Sequence, residues 1–261
     1  MPTSRSLMAR LVRGSRFRRF GPTLALAVST FLLVPGAWLG GWCWQHVALA
    51  LRAGGHRVIP ATLTGLGERA HLLSPDIDLD THIADIVALF ECRDLHDVIL
   101  VGHSYGGTVV TGAAEQVAGR IRRLVYLDAS VPRDGESNDD VIGPAMVAQL
   151  RASAIAGGDG WKVPPAPSVL QRLSEHPLRE WVAARLDPHP LRPFAQPVRL
   201  RSPQAAALPH AFIQTTPSDL YRGLMARARQ AGWYCHESGG GHYAMLTEPQ
   251  AVAAVLNALP V

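Results

Sequence analysis

Residues 97–110, DVILVGHSYGGTVV, contain the pentapeptide GHSYG at 102–106 between two apolar runs. The first run predicts a buried β-strand, and the second predicts the start of a helix. Ser104 then lies in the sharp turn between them, where side chains at Gly102 and Gly106 would collide with the strand and the helix. Strand, turn and helix in this order are typical of a nucleophile elbow, so the pattern predicts Ser104 as a catalytic nucleophile.

Other short β-rich runs recur along the chain and alternate with helical stretches. This alternation predicts an α/β fold, with a mostly parallel sheet covered by helices on both faces. The length of 261 residues fits one such domain. The predicted strands are residues 31–34, 57–59, 98–101, 124–127, 212–215 and 233–236.

The domain is predicted to span residues 29–261, and its alternation is interrupted once, at about residues 133–210. This segment holds eleven of the twenty prolines of the chain, several short helical patterns and no strong strand. An insertion of this size between two strands of the sheet is typical of a functional loop region. We therefore predict an inserted helical lid over the active face.

The first 28 residues are predicted to be a disordered extension or a targeting segment. They are rich in arginine, contain no acidic residue and end in a short apolar stretch, which is the charge order of an export signal. The apolar stretch is too short to be a convincing signal, and residues 31–34 are needed at once as a core strand. A cytoplasmic location is expected, with export as the alternative if residues 1–27 act as a signal. The sequence holds no apolar run long enough for a membrane span.

The net charge of +4 is misleading, because six arginines lie within the first twenty residues and the remaining chain is mildly acidic. The body of the protein therefore has no basic patch for nucleic acid, and a small, largely uncharged molecule is the expected partner. Three widely spaced cysteines and the absence of a His/Cys cluster predict neither a disulfide framework nor a metal site, and no cofactor is expected. We expect a monomer or a weak homodimer.

A serine hydroxyl is a poor nucleophile until a base removes its proton, so the elbow requires a histidine brought close by the fold. His242 follows three glycines after the last predicted strand, and this loop can hold its imidazole over the serine. Two carboxylates are candidates for the third member. Asp128 ends the strand after the nucleophile, whereas Asp219 follows the next strand but about one position late. We prefer Asp128, with Asp219 as the alternative acid and a Ser-His dyad as the third option.

Acyl transfer also requires hydrogen-bond donors for the oxyanion that develops on the substrate. The backbone N–H of Tyr105, directly after the nucleophile, is one candidate. The second is the backbone N–H of Ala37, in the loop after the first strand. Gly36 would let this loop approach the substrate closely, and Trp38 is a candidate wall of the substrate pocket.

Four motifs together resemble the α/β-hydrolase superfamily: LVPGAW at 33–38, GWCW at 41–44, GHSYGG at 102–107 and GH at 241–242. The similarity is to the branch that contains plant methylesterases, hydroxynitrile lyases and related bacterial esterases. The resemblance implies a serine esterase that cleaves a small or medium apolar carboxylic ester through an acyl-enzyme on Ser104.

Two positions depart from the pattern of that branch. Pro35 stands where members commonly carry histidine in the oxyanion loop, which alters the support of the backbone donor. Tyr243 follows the histidine where the lyases carry a lysine, so cyanide chemistry is disfavoured. Two alternatives stay open: a ligand-binding protein that hydrolyses very slowly or not at all, and a C–C hydrolase or lyase with the same triad.

Overall fold

The computed structural model describes residues 28–260, and within them the chain forms an α/β domain around a six-stranded sheet. All neighbouring strands of this sheet are parallel, in the order β2-β1-β3-β4-β7-β8, while β5 and β6 form a separate antiparallel pair. The predicted parallel sheet is confirmed. The strands are β1 (Thr30–Val34), β2 (Arg57–Pro60), β3 (Val98–His103), β4 (Ile121–Leu127), β5 (Lys162–Val163), β6 (His189–Pro190), β7 (His210–Gln214) and β8 (Tyr234–Glu237).

Helices cover both faces of the sheet. The described chain also contains short 3-10 helices at Gly41–Trp44, Gly67–Leu72 and Ala118–Arg120. The helices are α1 (Gln45–Ala53), α2 (Leu79–Cys92), α3 (Gly106–Val117), α4 (Asn138–Ile142), α5 (Pro144–Gly157), α6 (Pro167–Gln171), α7 (Arg179–Ala183), α8 (Arg192–Ala195), α9 (Pro203–Ala206), α10 (Asp219–Gln230), α11 (Ala244–Thr247) and α12 (Pro249–Asn257).

The hydrophobic core consists of two layers, one on each face of the sheet. Successive side chains of a strand point to opposite faces, and in β1 Leu32 joins the layer that includes α2 and α3 while Leu33 joins the layer that includes α1 and α12. Both side chains are fully buried. The strands are therefore apolar at consecutive positions, as a sheet covered on both faces requires.

Strand β4 is longer than the sequence indicates, because it begins at Ile121 and the apolar run begins only at Leu124. The two arginines between them are accommodated at the edge of the core by partners for their guanidinium groups. Arg122 binds the carboxylate of Asp97, and Arg123 donates to a backbone carbonyl near the end of the described chain.

The segment predicted as a lid leaves the sheet after β4 and returns at β7. It contains α4 to α9 and the β5–β6 pair, and its apolar side chains enter both core layers, Val163 and Phe194 on one face and Val169 and Val182 on the other. The short β5–β6 pair is not indicated by the sequence. Whether the segment acts as a lid stays a prediction.

The predicted extension or targeting segment falls almost entirely on residues 1–27, which lie outside the described residues. The expected location stays a prediction for the same reason. Within residues 28–260, no helix has both the length and the apolar character needed to cross a bilayer.

Candidate active site

Ser104 lies in the turn between β3 and α3, with a positive φ of 52°. Few residues other than glycine adopt this left-handed conformation, and it turns the side chain out of the sheet. The flanking glycines are needed because the backbone is so close: a Cβ on Gly102 would lie 2.6 Å from the carbonyl oxygen of Gly106, and a Cβ on Gly106 would lie 2.5 Å from that of Pro35. The local geometry is that of the predicted elbow.

His242 reaches Ser104 from the loop after β8, and its Nε2 lies 3.0 Å from Ser104 Oγ. Gly240 and Gly241 both have positive φ values, 93° and 72°, which allow the chain to turn back over the carboxyl edge of the sheet. The imidazole side chain is 11% exposed. The structure thus brings the predicted nucleophile and the predicted base into hydrogen-bond contact.

Asp128 stands behind His242, and its Oδ2 lies 3.4 Å from His242 Nδ1. Its other oxygen, Oδ1, accepts hydrogen bonds from the backbone N–H groups of Thr215 and Thr216 at 2.6 and 3.2 Å. Burial is the largest influence on the carboxyl pKa and raises it, but hydrogen bonds from His242, Thr216 and Thr215 together outweigh it, so the pKa lies below its ordinary value. Asp128 is therefore ionised at neutral pH and faces the base.

Asp219, the alternative acid, is not part of this group. Its side chain is 98% exposed in the first turn of α10 and pairs with Arg222 one turn further on. The cap of that helix is Ser218, whose hydroxyl accepts from the backbone N–H of Tyr221. Of the two candidate carboxylates, the structure places only Asp128 within reach of His242.

His103, the residue before the nucleophile, is buried, and its imidazole forms a hydrogen bond with the loop that carries His242. Its Nε2 is 2.7 Å from the backbone carbonyl of His242, and a carbonyl only accepts, so this nitrogen carries the proton and donates. Burial lowers the pKa of His103 to about 3, with a further contribution from the charge of His242. A neutral His103 therefore fixes the loop of the base without adding a second positive charge.

The predicted oxyanion loop lies directly against the nucleophile. A Cβ on Gly36 would be 2.8 Å from the Cβ of Ser104, so only glycine permits this approach. The backbone N–H groups of Ala37 and Tyr105 have no acceptor within residues 28–260. Both amides are therefore available to a ligand beside Ser104, as the predicted oxyanion donors must be.

The alpha/beta hydrolase family matches the chain over residues 31–255. The chain belongs to this family. A curated relative, the carbendazim hydrolyzing esterase of Nocardioides sp. (strain SG-4G), is 36% identical over 241 residues, which cover 89% of this chain and 100% of the esterase. The pFDCC methylesterase MES16 of Arabidopsis thaliana is 30% identical and covers 78% of this chain and 82% of its own length.

Solved structures of similar proteins have the same fold. An extracellular alpha/beta-hydrolase from a Paenibacillus species, described as sharing structural and functional homology with tobacco salicylic acid binding protein 2, superposes with a TM-score of 0.76 at 24% identity, covering 87% of this chain and 97% of that one. The Arabidopsis methylesterase MES16 structure gives a TM-score of 0.63 at 26% identity over 88% and 97% of the two chains. The predicted resemblance to methylesterases and bacterial esterases is confirmed.

Tyr221 is a neighbour of the base that the sequence did not indicate. Its ring stacks on the imidazole of His242 at 5.5 Å between centroids and 23° between planes, and its hydroxyl lies 3.3 Å from Nδ1 of the same ring. Burial raises the pKa of Tyr221, with a further increase from the charge of Asp128, so the phenol stays protonated. No pattern in the sequence marks Tyr221, because the contact depends on how α10 packs against the His242 loop.

Trp38, the candidate wall of the substrate pocket, contacts the inserted segment, and its role as a wall stays a prediction. It is partly buried, and its indole N–H donates to the backbone carbonyl of Val163 at 3.1 Å. The residue also has a positive φ of 66°, which is unusual for a side chain of this size. One edge of the indole is thus occupied by the inserted segment.

Three buried histidines surround the elbow, and two of them form a cluster with the phenol of Tyr105. His82 Nε2 donates to the carbonyl of Thr64 at 3.0 Å, so its Nδ1 accepts from the Tyr105 hydroxyl at 2.8 Å. His189 lies against the same phenol, 4.8 Å between ring centroids. Burial lowers the pKa of His82 to about 4 and that of His189 well below its ordinary value. The third buried histidine is His103, which lies outside this cluster and contacts the His242 loop. All three histidines are neutral in the folded protein near neutral pH.

These histidines should make stability fall steeply in mild acid. Above the ordinary histidine pKa of about 6.5, folded and unfolded chains are both neutral at these sites; below it only the unfolded chain takes up protons, down to the lowered folded values. Replacing His82 by Gln should reduce the slope of unfolding free energy against pH by about 1.4 kcal/mol per pH unit between roughly pH 6 and 4. Denaturant titrations at several pH values measure it, with the exposed His71→Gln as control. An unchanged slope in His82→Gln would contradict the assignment.

A cavity of about 340 Å³ opens beside the base, between the His242 loop and the inserted segment. It is bordered by His242, Tyr243 and Arg172, and burial raises the pKa of Tyr243 to about 12. No carboxylate within residues 28–260 forms an ion pair with Arg172. The same residues contain no group of three His, Cys, Asp or Glu side chains that could hold a metal ion.

Proposed function

We propose that this protein is a serine hydrolase that cleaves a small or medium carboxylic ester through an acyl-enzyme on Ser104. The observation that carries the proposal is the continuous path from nucleophile to acid, with Ser104 Oγ 3.0 Å from His242 Nε2 and His242 Nδ1 3.4 Å from Asp128. A serine at a strained elbow, a histidine in contact with it and a buried carboxylate behind are the parts that acyl transfer needs.

The assignment to the carboxylic ester hydrolases rests on sequence similarity to known proteins as well as on the geometry of the site. The relatives named above are an esterase that hydrolyses carbendazim and a methylesterase, and they confirm the predicted class of carboxylic ester hydrolase. The particular ester is part of the proposal. A small or medium apolar ester is the preferred type because of the resemblance to the methylesterase branch. The cavity beside His242 does not set this size, since neither Ser104 nor the proposed oxyanion donors line it.

In the first half of the reaction, Ser104 Oγ attacks the ester carbonyl carbon while His242 Nε2 takes its proton. The carbonyl oxygen becomes an oxyanion, which the backbone N–H groups of Ala37 and Tyr105 stabilise. The Asp128 carboxylate holds the proton on Nδ1 and stabilises the imidazolium. The tetrahedral intermediate then collapses as His242 gives its proton to the leaving alcohol, and the acyl group stays on Ser104.

In the second half, water replaces the alcohol. His242 takes a proton from the water as it attacks the acyl carbon, and the same oxyanion donors act again. Collapse releases the carboxylic acid and returns the proton from His242 to Ser104 Oγ. The neutral His103 leaves His242 free to become positively charged in each half.

The proposal is tested by steady-state hydrolysis of short and medium p-nitrophenyl and methyl esters by the full chain. The panel includes one ester with a carboxylate on its acyl group, because Arg172 borders the cavity. A fluorophosphonate probe, with the labelled peptide identified by mass spectrometry, reports whether Ser104 is an activated nucleophile. We expect turnover of at least one neutral ester and stoichiometric labelling of Ser104.

The two alternatives predict different outcomes of the same experiment. Labelling of Ser104 with a single slow acylation and no turnover would favour a ligand-binding protein. Labelling without any ester hydrolysis, but with cleavage of a β-diketone, would favour a C–C hydrolase. A folded protein that neither turns over an ester nor reacts with the probe would overturn the serine hydrolase itself.

A further inference from the structure

Both proposed oxyanion donors adjoin residues that the inserted segment holds in place. On the side of Ala37, the next residue is Trp38, and it is bound twice: its indole N–H donates to the carbonyl of Val163 at 3.1 Å, and its own carbonyl accepts from the N–H of Asp187 at 3.2 Å. Val163 belongs to β5, and Asp187 lies two residues before β6. The β5–β6 pair therefore holds the peptide chain directly after the first donor.

The same pair reaches the second donor through the side chain of Tyr105. His189, which pairs with Val163 across the two strands, lies with its ring 4.8 Å from the phenol at 75°. Phe194 of α8 stacks on His189 and meets the phenol edge-on at 5.1 Å. The Tyr105 ring is 2% exposed. The inserted segment therefore helps to enclose the phenol, whose hydroxyl also hydrogen-bonds to His82.

We propose that the β5–β6 pair positions the two oxyanion donors, with Trp38 as the positioning residue on the Ala37 side. This inference rests on the proposed function, because it concerns the donors of that reaction. Trp38 is held at a φ of 66°, where a residue with a large side chain is strained. Its two hydrogen bonds hold this conformation in place, and without them the loop after β1 can relax and turn the Ala37 N–H away from the oxyanion.

Such positioning matters in the transition state more than in the ground state. An oxyanion donor acts on charge that appears only when the serine attacks, and it is effective because it is already oriented at that moment. A loop that has lost its tether still binds the ester but stabilises the intermediate less well. The expected signature is a loss in kcat with little change in KM.

The test uses Trp38→Phe in the full chain, which keeps an aromatic ring but removes the indole N–H. We expect kcat for a good ester to fall about tenfold while KM stays within about twofold. Affinity for a trifluoromethyl ketone that forms a tetrahedral adduct on Ser104 should fall by the same factor as kcat. Affinity for the ether analogue of the substrate, which has no carbonyl oxygen, should not change.

Two further variants serve as a control and as an independent test. Trp233→Phe is the matched control, because this indole stacks on Tyr126 of β4 and His210 of β7 and makes no ring contact with Trp38, Tyr105 or the β5–β6 pair, and it should leave both constants unchanged. Phe194→Leu removes the ring that meets Tyr105 and should reproduce the kcat loss from the other donor, including in the case that Trp38→Phe does not fold.

The outcomes separate this inference from the function on which it rests. If the wild type shows no turnover that depends on Ser104, the proposed function fails. If the wild type is active and both variants keep its kcat, the positioning role is overturned while the proposed function stands. The same holds if KM of the variants rises by the same factor by which their kcat falls. A selective loss of affinity for the tetrahedral adduct supports it.

Discussion

Ser104→Ala is expected to reduce ester turnover by about 10⁴-fold or more, because it removes the atom that attacks the carbonyl. The oxyanion donors and the pocket remain, so the variant should still bind substrate with nearly the wild-type affinity. Stability should change little: alanine has a Cβ as serine does, and the φ of 52° at this position is equally strained for both.

The measurement is kcat on the best ester of the panel, together with fluorophosphonate labelling and a thermal unfolding curve. Ser202→Ala is the matched control, since Ser202 caps the short helix α9 and should affect neither activity nor labelling. Turnover above about 1% of the wild-type rate in pure, folded Ser104→Ala would show that another group performs the attack.

Asp128→Asn is expected to lower kcat by about 10² to 10⁴-fold without disturbing the fold. Oδ1 of Asp128 accepts two backbone N–H groups, so the amide oxygen of an asparagine would take that place and its NH₂ would face His242. An NH₂ only donates, and it would force Nδ1 to accept and the ring proton to move to Nε2. That nitrogen would then face Ser104 with a proton and could not act as a base.

Asp219→Asn provides the comparison, because this exposed carboxylate pairs only with Arg222 among the described residues. Its kcat should stay within about twofold of wild type. The pair of variants is measured across a pH range, and raising the pH should not rescue Asp128→Asn, because the defect is in the tautomer. Equal mild losses in both variants would instead indicate a Ser-His dyad.

The parts of the site that depend on residues close together in the sequence could be predicted from it. The elbow needs a strand, two glycines and a helix within fourteen residues, and steric rules alone place them. His242 was also within reach of sequence reasoning, because glycines before a histidine after the last strand indicate a loop that can turn back over the sheet. Both side chains meet in the structure at 3.0 Å.

The sequence favoured Asp128 as the acid but could not exclude Asp219, because the position of the carboxylate depends on how two strands meet in space. Asp128 follows β4, and the backbone that receives its Oδ1 belongs to the corner after β7, 87 residues further on. Nothing near Asp128 in the sequence indicates this corner. Tyr221 was missed for a similar reason, since its contact with His242 depends on where α10 packs.

Trp38 shows a different limit of sequence reasoning. An aromatic residue in the loop after β1 indicates a pocket wall, which stays a prediction, but nothing in the sequence indicates that its indole has a backbone partner in the inserted segment. The partner lies 125 residues away in a strand of two residues, too short to leave a pattern.

The order of the strands has a consequence for biosynthesis. The nucleophile is translated 138 residues before its base, and β8, which carries the His242 loop, is the last strand at the edge of the sheet. A nascent chain that has already folded its elbow holds a serine with no base to activate it. Under the proposed function, the nascent serine therefore stays unactivated until β8 and the His242 loop have left the ribosome and joined the sheet.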